Sequence, residues 1–227
     1  MSIDRLPPVV TATVEHVAEE LKPRLRGRLH LVVAPLAALA GAAQVLLAHG
    51  AAAKVGCGVF ALGAVLLFSV SAAYHTRFWS EPARRLMRRW DHANIFVLIA
   101  ASYTPFAVLM LPAASAHELL GLVWTGAVVG AVAQVCWVRA PRWLSVPVYV
   151  ALGWAAVFWA GEFTAAGSPA VLSLIALGGL LYTAGAVVYG RRRPDLAPGW
   201  FGFHELFHAL TVAAFVSHYV AVWLLLR

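Results

Sequence analysis

Residues 84–112 read RRLMRRWDHANIFVLIAASYTPFAVLMLP, four arginines and an aspartate followed by a long stretch from residue 92 to 112 without Asp, Glu, Lys or Arg. A stretch of that length matches the roughly 20 apolar residues a helix needs to cross the hydrocarbon of a bilayer. The arginines before it mark the edge, because an ionised side chain within the span is costly. Working outward, comparable runs lie at 30–49, 55–75, 118–138, 143–161, 169–189 and 204–226. The chain of 227 residues is 62% hydrophobic and 12% charged, with a mean hydropathy of +0.79. Soluble proteins run at about half apolar and a quarter charged, so the sequence predicts an all-α integral membrane protein, a seven-helix transmembrane bundle with little chain left for a soluble domain.

The net charge of +7 reports topology and not a nucleic-acid partner. Of the 17 Lys and Arg residues, all but Lys54 and Arg227 fall before the first span or in the connections two-to-three, four-to-five and six-to-seven. The positive-inside rule then predicts a cytosolic N-terminus, an outside C-terminus and a multi-pass place in the inner (plasma) membrane. An odd number of spans demands opposed termini, so count and charge agree. The mostly polar residues before the first span, and the length of that span, argue against a secretory signal and for a first span that stays in the mature protein.

Two regions follow: a cytosolic N-terminal segment, 1–28, and the transmembrane domain, 29–227. After Pro7-Pro8, Val10, Val14, Val17, Ala18 and Leu21 recur at helical spacing opposite Glu15, Glu19 and Glu20, which predicts a short amphipathic helix on the membrane surface. Cys57 and Cys136 fall near opposite membrane faces, so no disulfide is expected between them. Gly126, Gly130, Gly178, Gly179 and Gly185 read as close helix packing, and Trp79, Trp90, Trp143 and Trp200 as interfacial anchors.

The same topology carries chemistry to one edge. Span two ends at Ser71 and His75, span three starts at Asp91, and span seven starts at His204 and His208. Residues four apart share a helix face. Two imidazoles so spaced, with a third from another helix, make the three-histidine set that leaves zinc an open fourth position. Imidazole disfavours magnesium and calcium, whereas copper, nickel and iron accept the same ligand type. Asp91 reads either as part of this site or as an ion pair with Arg88 or Arg89; Ser71 reads as a packing hydroxyl or as a hydrogen-bond partner at the site. His204-Glu205-x-x-His208 fits the zinc-protease pattern, but no later carboxylate follows. Glu205 points about 100° away from the shared face and suits the positive end of the helix dipole.

Ser71-Ala-Ala-Tyr-His75, the run from Asp91-His92-Ala-Asn to Tyr103-Thr104-Pro105-Phe, and His204-Glu-Leu-Phe-His208 with His218-Tyr219 after it together resemble the bacterial hemolysin III proteins. These group with the progestin and adipoQ receptor (adiponectin receptor-like) family. The resemblance implies seven helices with the N-terminus inside and a zinc ion held by His75, His204 and His208. It also implies Asp91 as the residue orienting a water, Ser71 beside it, and, through related alkaline ceramidases, hydrolysis of lipid amides. His30 matches a first-span histidine of the bacterial members and, with His92 and His218, is expected to be structural.

The leading expectation is therefore a zinc-dependent hydrolase of ceramide-like membrane lipids near the cytosolic leaflet, with catalytic Asp91 and Ser71 and a substrate entering between helices. A zinc-stabilised membrane receptor or regulator without catalysis is the alternative. A hemolysin-like cytolytic role suits the chain less, because so apolar a protein lacks a soluble form that could later insert.

Overall fold

The computed structural model describes residues 23–137 and 142–227; the amphipathic surface helix expected before residue 22 lies outside them. Helices α1 (Arg28–Leu47), α2 (Ala51–Thr76), α3 (Glu81–Met110) and α4 (Ala113–Cys136) run up and down in sequence. The fifth crossing is made in pieces, α5 (Arg142–Gly153), a 3₁₀ turn (Ala155–Trp159) and α6 (Ala160–Ala166), and α7 (Pro169–Arg191) and α8 (Phe203–Leu225) complete the fold. Among the described residues, seven crossings are long and apolar enough to span a membrane, as the hydropathy predicts.

Burial ranks the spans. In α3, 72% of the apolar window is buried, against 11% in the fifth crossing, so α3 is the central post and the fifth crossing lies at the rim. Leu31, Val32, Leu36, Leu39 and Leu46 of α1 are exposed, an apolar face suited to lipid where water would penalise it. The glycines read as packing sites are mostly that: a Cβ on Gly130 would stand 2.3 Å from Phe96, and one on Gly126 would stand 2.8 Å from Leu152. Gly179 has nothing within 4 Å and instead lines a cavity. Cys57 and Cys136 are both free.

Two boundaries differ from the hydropathy reading. Helix α3 begins at Glu81, so Arg84, Arg85, Arg88 and Arg89 form its first turns and not a loop. Pro82 near the helix start is pre-set for that conformation, and Ala, Arg, Leu and Met propagate it; a scan for apolar runs is blind to a charged helical turn outside the hydrocarbon. The second difference is the break in the fifth crossing, which extends to Ala166 where the apolar run suggested an end near 161.

That break is held by one side chain. The Tyr103 hydroxyl of α3 donates to the Gly153 carbonyl at 2.5 Å and accepts from the Ala156 N–H at 3.3 Å. Backbone groups freed at membrane depth must find partners inside the protein, and Tyr103 supplies them. Tyr103→Phe is expected to destabilise the protein by about 1–3 kcal/mol, seen as a lower thermal midpoint in detergent. An unchanged midpoint would show that the break finds other partners.

Candidate metal centre

The N-terminus of α8 is tied down before its histidines appear. Glu205, buried, accepts from the Gly202 N–H at 2.9 Å, satisfying a donor that a helix start leaves open. The Phe203 N–H donates to Asp195 Oδ1 at 2.8 Å. The other oxygen of Glu205 takes a charge-assisted bond from the Arg26 guanidinium, which brings in the segment before α1. That segment is also strapped to the α7–α8 loop: Arg24 N–H donates to Gly199 O at 3.0 Å, Leu25 N–H to Trp200 O at 3.3 Å, and the Arg24 guanidinium lies 4.5 Å over the Trp200 ring. The dipole reading of Glu205 was thus half of its role. Arg26 lies 179 residues away in sequence, and no local pattern joins the two.

The last turn of α2 meets this strap. Thr76 and Trp79 bond back to the Ala72 and Ala73 carbonyls at 2.7 and 2.9 Å, fixing the helix end. Gly27 has φ 75°, and a Cβ there would lie 2.5 Å from the His75 Cβ; only glycine permits both the left-handed backbone and so close a pass. His75, His204 and His208 consequently present ring nitrogens that all lie within 4.8 Å of one another, with His75 Nε2 and His204 Nε2 3.1 Å apart.

The donor chemistry fits a metal ion. Zinc bonded to nitrogen at about 2.0–2.1 Å in a tetrahedral array separates its ligand atoms by roughly 3.3 Å. The closest pair here already stands near that spacing. Asp91 Oδ2 is 3.7 Å from His75 Nε2, and Ser71 and Asp91 line the same cavity. Ser71 is buried. Of the two sequence readings of Asp91, the geometry puts its carboxylate beside the histidine cluster.

Three residues join the site that sequence reasoning set aside as structural or did not single out. His30 stacks on His208 with ring centroids 3.9 Å apart and 16° between planes; its nitrogens are buried without a well-formed hydrogen bond, although the His208 backbone lies close. His92 accepts the Tyr189 hydroxyl at Nε2, 2.8 Å, because its Nδ1 donates to the Arg88 carbonyl at 2.7 Å. Tyr189 in turn lies edge-on to His204 with centroids 6.0 Å apart. The site opens on a largely apolar cavity of about 150 Å³ that begins at Ser71, Asp91 and His208 and reaches Phe106, Tyr182 and His218.

A bundle of seven membrane-crossing helices with three convergent imidazoles at one end defines the class: a multi-pass membrane protein carrying a candidate metal centre. The chain belongs to the haemolysin-III-related family, whose profile matches residues 19–219. It is 33% identical over 131 residues to a hemolysin-3 homolog of Bacillus subtilis (strain 168), covering 58% of this chain and 61% of that one. It is 30% identical over 142 residues to hemolysin-3 of Bacillus cereus, covering 62% and 64%. These matches span somewhat less than two thirds of either Bacillus relative. The heptahelical transmembrane protein ADIPOR2 of Oryza sativa subsp. japonica is 34% identical over 186 residues, with 74% of this chain and 81% of that one covered, which places the adiponectin-receptor branch in the same kinship.

Proposed function

We propose that this protein is a zinc-dependent hydrolase of membrane lipid amides, working at the cytosolic edge of the inner (plasma) membrane. The observation that carries the reading is the meeting of three imidazoles with the Asp91 carboxylate at the mouth of an apolar cavity. His75, His204 and His208 would hold the ion. Zinc bound there supplies Lewis acidity toward a carbonyl and toward water.

The protein's own groups do the rest. Asp91 takes a proton from the attacking water and returns it to the departing amine, so that a C–O bond forms as the C–N bond breaks, releasing a fatty acid and an amine. Ser71, which lines the cavity beside Asp91, would orient the attacking water or stabilise the developing oxyanion. The cavity lining, including Leu67, Ile95, Leu98 and Phe106, excludes water from the acyl chain. Incubating the zinc-loaded protein with a mixed lipid extract tests the reading: fatty acid should be released, and the Asp91→Asn protein should release far less.

The orientation rests on the basic residues gathered at the histidine end of the bundle. The only lysines are Lys22 and Lys54, assigned to opposite sides, and Lys54 is exposed. An impermeant amine reagent applied to intact cells should modify Lys54 and spare Lys22; the reverse pattern would invert the topology.

A further inference from the structure

The far end of the cavity contains polar groups that hydrolysis does not use. His218 lies ten residues beyond His208 on α8, hence about 15 Å deeper along the helix. It is 8% exposed, and its Nε2 stands 3.2 Å from the Ile175 carbonyl. A carbonyl only accepts, so Nε2 carries the hydrogen and Nδ1 is left as a bare acceptor. The Nε2–Cδ2 edge faces α7, where a Cβ on Gly178 would come within 2.3 Å of both atoms. Nδ1, opposite that edge in the ring, is therefore turned away from the α7 backbone at Gly178.

Tyr182 stands next to it, ring centroids 5.6 Å apart. Its hydroxyl and His218 Nδ1 are both buried without a hydrogen-bond partner, and both residues line the cavity. Buried polar atoms in native proteins are nearly always satisfied. The other hydroxyls nearby are committed to their own helices: Ser102 donates to Ile99 O at 2.8 Å and Thr211 to Phe207 O at 2.9 Å.

We propose that His218 and Tyr182 form a hydroxyl-recognition subsite, so that the cavity selects lipids bearing a hydroxyl group partway along the acyl chain. The pair offers one acceptor and one donor. An alcohol, which donates and accepts at one oxygen, matches both; a ketone would use Tyr182 alone, and a carboxylate would face the bare lone pair of Nδ1. A plain alkyl chain satisfies neither group. The proposal rests on the reading of the cavity as the seat of an acyl chain.

Binding, independent of turnover, tests it. Octadecanoic acid and its monohydroxy derivatives, with the hydroxyl at successive positions, are titrated against the purified zinc-loaded protein and its Tyr182→Phe variant. The wild type should favour one or two adjacent hydroxyl positions over the plain acid by roughly five- to tenfold, and in Tyr182→Phe the ratio of hydroxylated to plain acid affinity should fall to about one. A flat response to hydroxyl position, a preference that survives in Tyr182→Phe, or an equal loss of all binding in the variant overturns the subsite alone. If no acid binds the wild type, the acyl-chain reading falls and the subsite with it.

Discussion

His208→Ala is expected to purify without stoichiometric zinc and without lipid hydrolysis, while the wild type holds one ion per chain. His208 is the buried member of the pair on α8, and no other imidazole can replace it from that helix face. Losing a partner that merely orients a ligand costs about 10- to 100-fold in metal affinity, so losing a ligand should exceed the upper end of that range. Elemental analysis after brief chelation gives the readout. Because His208 also stacks on His30, the alanine variant opens a gap as well as removing a ligand. His30→Phe separates the two effects: a ring remains for the stack, the three ligands stay, and zinc should be retained. Full zinc in His208→Ala, or none in the wild type, would dismiss the triad as a metal centre.

How much of this was legible in the sequence depends on the range of the interaction. Hydropathy and the distribution of arginine gave the spans, because membrane insertion acts on each helix almost separately. The i, i+4 spacing of His204 and His208 is local and readable, and topology brought His75 to the same end of the bundle. The break in the fifth crossing was not readable, since what stabilises it is a hydroxyl on Tyr103, 50 residues from Gly153. Nor was the Arg26–Glu205 pair, which depends on the segment before α1 packing against the start of α8. His30 shows a subtler limit: a histidine on an apolar helix looks alike in sequence whether it packs against lipid-facing residues or, as here, against a candidate ligand.

Asp91→Asn is expected to leave zinc content unchanged and to lower fatty-acid release by about 10²- to 10⁴-fold, the range that a positioned proton-transfer group contributes. The substitution is nearly isosteric. What it removes is the capacity to take up a proton beside His75. This variant also decides between catalysis and the rival role in which zinc only ties α2 to α8. In that role the carboxylate at 3.7 Å from His75 Nε2 has nothing to transfer, and function in cells should survive Asp91→Asn while His208→Ala lowers the thermal midpoint. If Asp91→Asn releases fatty acid at the wild-type rate, the carboxylate is not the base and the hydrolytic mechanism is wrong. The hydrolytic chemistry therefore needs this proton acceptor in addition to the ion that the three histidines would hold.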